Sequence, residues 1–156
     1  ALAKSISEHL ATLDFTPDKV LMSYHGIPKA YFDKGDPYHC HCHKTTRLVA
    51  EQLGWEQGYA RTTFQSRFGP TKWLEPYTDK TLEALPESGA KKVVVVSPAF
   101  ISDCLETLEE LAMEGRDEFM EAGGEAYSVV PCLNDSNSAI DVIEDVVRRE
   151  TAGWIA

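Results

Sequence analysis

Apolar positions in this chain follow two periods that alternate from one end to the other. Short strand-type runs occupy residues 19–24, 59–64, 93–96 and 127–130, and windows with apolar residues three and four apart lie between them. The clearest strand is Val93-Val94-Val95-Val96, an unbroken run of the kind expected where both faces of a parallel sheet are covered. Helices are expected over 5–13, 44–53, 78–87, 103–122 and 138–151. Leu48, Val49 and Leu53 mark the apolar face of the second, with Gly54 as its stop; Gly89 and Gly123-Gly124 close the third and fourth. Four strand–helix units in succession predict a three-layer α/β/α domain around a four-stranded parallel sheet. No internal repeat, low-complexity tract or linker interrupts it.

The distinctive residues all follow strands. His25 comes after the first and opens Gly26-Ile27-Pro28; Gln65-Ser66-Arg67 follow the second, Phe100 and Asp103 the third, Cys132 and Asn134 the fourth. In a parallel sheet those tips share one edge, the edge that borders a ligand crevice. The stretch from Tyr31 to Tyr38, rich in aromatics, Gly and Pro, reads as an ordered wall beside it. An imidazole there suits either of two tasks near neutral pH, metal ligand or proton acceptor.

The helix after the third strand carries the second set of candidates. Asp103 is placed to cap it, and acidic residues in its first turn suit the helix dipole. Capping does not explain Glu110 and Glu114, which continue from Glu106 at four-residue spacing. A like-charge ladder costs a few tenths of a kcal/mol per pair. Its presence points to oxygen ligands for a hard cation, with a solvated helix face as the alternative.

Composition narrows the setting. The chain has 156 residues, is 43% hydrophobic and carries a net charge of −10, a balance that fits one globular domain and disfavours nucleic acid as a partner. No apolar run approaches the ~20 residues of a membrane span, so no transmembrane segment is expected, while peripheral membrane contact stays open. Without a secretory segment at its start, the chain is expected in the cytoplasm, with Cys40, Cys42, Cys104 and Cys132 as free thiols. His39-Cys40-His41-Cys42-His43 lacks the Cys-x2-Cys spacing of structural zinc and reads as a polar loop with incidental metal affinity.

Ser23-Tyr24-His25-Gly26-Ile27-Pro28 followed by Gly35-Asp36-Pro37-Tyr38 resembles the metal-site segment of ferrochelatases, the enzymes that insert ferrous iron into protoporphyrin IX to form protoheme. Gln65-Ser66-Arg67-Phe68-Gly69-Pro70 with Trp73-Leu74 is similar to their Gln-Ser-x-x-Gly-Pro-x-x-Trp-Leu pattern, and Phe100 to Leu111 to their acidic helix. The wording is closest to proteobacterial members. The resemblance implies a chelatase-like, Rossmann-like fold and makes residues 1–156 one domain, equivalent to the second, C-terminal half of the enzyme. The N-terminal half would then be a missing partner.

It further implies His25 and Glu106 as catalytic residues, and His25, Glu106, Asp103, Glu110 and Glu114 as the metal path. Tyr38, Gln65, Ser66, Trp73 and Phe100 would bind the porphyrin. Ferrous iron enters as a substrate. No iron–sulfur cluster is expected, ligation by Cys40, Cys42, Cys104 and Cys132 being the minor alternative. Cys104 stands where animal members place a second histidine, so that position is not assigned to metal. Two rival readings are a cobalt or nickel sirohydrochlorin-type chelatase of the same fold and a non-catalytic α/β ligand-binding module.

Overall fold

A computed structural model describes residues 1–154. Its centre is β1 (Lys19–His25), flanked by β2 (Ala60–Gln65) and β3 (Lys92–Val96), with β4 (Ala126–Val129) outside β3. All three pairings are parallel. Side chains alternate across this sheet, and each face builds a core. Val20, Met22 and Tyr24 of β1 join Val94 and Val96 beneath α1 (Leu2–Leu10) and α3 (Tyr38–Leu53). Leu21, Val93 and Val95 face the other way, against Leu82 of α4 (Thr78–Ala84) and Phe119 of α5 (Gly115–Glu121). The expected three-layer α/β/α architecture is therefore present.

Three elements differ from expectation. A short helix, α2 (Lys29–Asp33), lies inside the anticipated wall, and α3 begins at Tyr38 rather than Lys44. The His39–His43 run is thus the opening of a helix, not a loop. The Asp36 carboxylate accepts from the Tyr38 backbone N–H at 2.8 Å, and the His39 ring stacks on Phe64 with 5.7 Å between centroids. Helix start and ring packing together override the weak helical propensity of His and Cys.

The helix expected over 103–122 is divided. Glu106–Glu114 is a π-helix that passes into α5, and at the junction the Gly115 N–H donates to the Glu110 carbonyl, five residues back. Asp103 is not its cap, because the helix starts after Leu105 with no side-chain cap bond. Gly115 is required by close approach: a Cβ there would lie 3.0 Å from the Tyr127 hydroxyl and 3.1 Å from Leu82. That hydroxyl donates to the Leu111 carbonyl at 2.7 Å, tying the π-helix to β4.

The last helix, α6 (Asn137–Glu150), is capped by the Ser136 side chain on the Ala139 N–H. Ile140, Val142, Ile143, Val146 and Val147 fall within an arc of about 160° at 100° per residue, the pattern of a core-facing helix. All five are exposed, and Ala139 is the sole buried residue of the helix. Among the described residues, no helix is long and apolar enough to cross a membrane.

Candidate functional site

His25 is the last residue of β1 and pairs in register with Gln65, the last residue of β2. Chain connections leave β1 toward β2 and β3 toward β4, so the sheet switches direction between β1 and β3, the position at which parallel sheets commonly bind ligands. Phe100, beyond the end of β3, has its ring 6.1 Å from the His25 ring. Tyr38 donates its hydroxyl to the His25 carbonyl at 2.9 Å, and burial raises its phenol well above the usual range, so it stays protonated. Gly26 leaves no space for a side chain, since a Cβ would sit 2.9 Å from the Gln65 carbonyl and 3.2 Å from the Trp73 indole.

The imidazole has a defined tautomer. Its Nδ1 lies 2.6 Å from the Gly26 carbonyl oxygen, which can only accept. Nδ1 is therefore the protonated nitrogen, and in the neutral ring Nε2 keeps its lone pair for a metal or a proton. Glu106, half-buried at the start of the π-helix, offers a carboxylate. Its pKa is lowered first by a hydrogen bond from Cys104, then by its own backbone N–H, with the charge of His25 adding to them.

A cavity of about 460 Å³ runs along the π-helix, lined by Glu106, Glu109, Glu110, Glu114 and Glu118 on one side and by Gln65, Ser66, Arg67 and Asp79 on the other. The predicted ladder thus shares one groove, although His25, Tyr38, Trp73 and Phe100 do not line it. Glu118 extends the same four-residue spacing and was legible on that ground; sequence reasoning missed it. Burial raises its pKa first, and the neighbouring Asp79 and Glu83 charges push it further. Asp79 is itself held by Arg67 through two hydrogen bonds of 2.8 and 2.6 Å. Burial alone would raise its carboxyl; the Arg67 bonds outweigh that and leave it lowered.

Several predicted site residues have other duties. Gln65 is 4% exposed: its Oε1 accepts from Ser23 and its Nε2 donates to the Glu106 carbonyl, so it does not face a ligand directly. Ser66 gives both its N–H and its hydroxyl to Glu110, which is consequently not a carboxylate standing in water. The Asp103 carboxylate accepts from Asn134, Thr107 and the Cys132 N–H, knotting the tips of β3 and β4 together. Trp73 is half-buried behind the His25 turn, its indole N–H on the Phe68 carbonyl at 2.9 Å. Each was readable as a polar or aromatic position near a strand tip, but partner choice depends on chain crossings that sequence spacing does not encode.

Among the described residues, no three His, Cys, Asp or Glu side chains form a ready metal cage. The four thiols are free: Cys40 is exposed and Cys42 buried, and burial pushes Cys42 and Cys132 up to about 11.

A sequence profile described as Ferrochelatase matches residues 1–151. Curated proteins named ferrochelatase share 59% identity with the chain in Allorhizobium ampelinum, 57% in Rhizobium meliloti and 55% in Agrobacterium fabrum. Each match takes in 99% of this chain but only 45–46% of the relative. The chain therefore spans under half the length of the curated relatives it matches.

Proposed function

The chain belongs to the ferrochelatase family, and from that premise we propose that it is the metal-handling half of a cytoplasmic enzyme inserting ferrous iron into protoporphyrin IX. The observation that carries the reading is the free Nε2 of His25, fixed by the Nδ1–H bond to Gly26 at the sheet's switch point. Metallation needs a metal stripped of water and an acceptor for two pyrrole protons. His25 serves at the centre, as ligand or as proton acceptor. Glu106, an ionised carboxylate, supplies an oxygen ligand that suits hydrated iron.

Two side chains make a weak site, which fits a metal that must be passed on rather than kept. Phe100 and Tyr38 furnish one apolar wall for a flat macrocycle. The opposite wall, and with it the grip that bends the ring and keeps the site dry, falls to the missing N-terminal half. Alone, the chain is expected to fold but not to metallate porphyrin at an enzymatic rate. The sirohydrochlorin and binding-module readings are not favoured by the relatives described above, which carry the ferrochelatase name.

The test is His25→Ala in the full-length enzyme. Iron insertion should fall to background while the melting temperature hardly moves, since a ring at a strand tip adds little packing. Retained insertion of ferrous iron would remove His25 from the chemistry.

A further inference from the structure

The Glu110 carboxylate is the most heavily engaged of the groove acids. Its Oε1 accepts from the Ser66 backbone N–H at 2.7 Å and its Oε2 from the Ser66 hydroxyl at 2.5 Å. Gln65 Nε2 approaches the same Oε2 at 3.5 Å. Ser66 sits at φ 61°, a left-handed conformation that costs a residue with a Cβ energy and needs support from its surroundings. Here its N–H and hydroxyl converge on one carboxylate.

The contact continues in both directions. Gln65, next in the chain, donates to the Glu106 carbonyl at 3.0 Å, and its own carbonyl accepts from the Gly26 N–H at 2.8 Å. Gln65 is also the register partner of His25. One set of bonds therefore joins the π-helix to the turn that carries the imidazole.

We infer that Glu110 is a positioning residue: it latches Ser66 in the left-handed conformation and so sets the distance between His25 and Glu106. A metal on Glu110 would have to displace the Ser66 bonds, which releases the strained turn. The inference rests on the proposed reaction, and it separates Glu110 from Glu106 and Glu114, whose carboxylates carry no such bonds to the turn.

The test uses the full-length protein with Glu110→Ala, Glu110→Gln and the double variant Glu110→Ala with Ser66→Gly. Glutamine keeps an acceptor for the Ser66 N–H but not the charge. Glycine adopts the left-handed conformation without steric cost, so it needs no latch. Hydrogen exchange of the 65–68 segment, measured without iron or porphyrin, should accelerate at least about tenfold in Glu110→Ala and stay near wild type in Glu110→Gln. In iron insertion, Glu110→Ala should lower kcat roughly ten- to a hundredfold at unchanged metal KM, as misplaced groups do. Glu110→Gln should retain most of that kcat, and Ser66→Gly should restore much of it to the alanine variant. Unchanged exchange in Glu110→Ala would overturn the latch. So would a raised metal KM shared by the alanine and glutamine variants, or failure of glycine to rescue. A wild-type protein that inserts no iron would sink the proposed function and leave the exchange arm to decide the latch.

Discussion

At the scale of single residues, the polar side chains around the crevice divide by where their bonds go. His25 is held through Nδ1 on the Gly26 carbonyl, which leaves Nε2 available, and Glu106 lines the acidic groove along the π-helix. Asp103 spends both oxygens, on Asn134 and the Cys132 backbone beyond β4 and on Thr107 of the π-helix. Replacing it by alanine should cost about 1–3 kcal/mol by orphaning those donors. In a domain of this size that lowers the thermal midpoint by roughly 2–4 °C per kcal/mol, measurable by calorimetry. An unchanged midpoint would show the knot to be incidental. His25 stood out in the sequence because a Gly and a Pro turn the chain immediately after a strand. The duties of Gln65 and Asp103 did not stand out, because a buried amide and a structural carboxylate look the same as ligands until their partners across 41 and 31 residues are known.

Among the elements, the strands were the most legible, their apolar runs being dictated by burial on both faces. The helix after β3 was placed correctly but not its winding, since four-residue spacing of acids is compatible with either helix type. What holds the π-helix is tertiary: Gly115 admits the Tyr127 hydroxyl to the Leu111 carbonyl. Gly115→Val should therefore destabilise the protein by about 1–3 kcal/mol through overpacking, read from urea unfolding. Stability equal to wild type would mean the junction yields freely. On the opposite face, half-buried His9 of α1 lies 2.8 Å from the Ser128 hydroxyl of β4, and burial lowers its pKa below the ordinary 6.5. A depressed folded pKa means the unfolded chain binds the proton more readily. Stability is then intact above pH 6.5 and declines as the pH falls through the lowered folded value. His9→Gln should flatten that part of the pH–stability curve; an identical slope would remove His9 as its source.

For the whole molecule, two features set what the chain does alone. The sheet has a complete core on each face, so the domain has the means to fold independently. Yet α6 presents an apolar stripe to solvent, and the chain spans under half of its relatives' length. The sequence showed the amphipathic period of that helix but not that the stripe would lack a partner here. On the proposed function, His25 and Glu106 together meet the metal at the strand tips. That is tested most directly by titrating the chain with a paramagnetic divalent metal and following histidine ring resonances by NMR. Binding should be weak, should broaden His25 first and should disappear in both His25→Ala and Glu106→Ala. Broadening centred on His39, His41 and His43, and unchanged by either substitution, would contradict it.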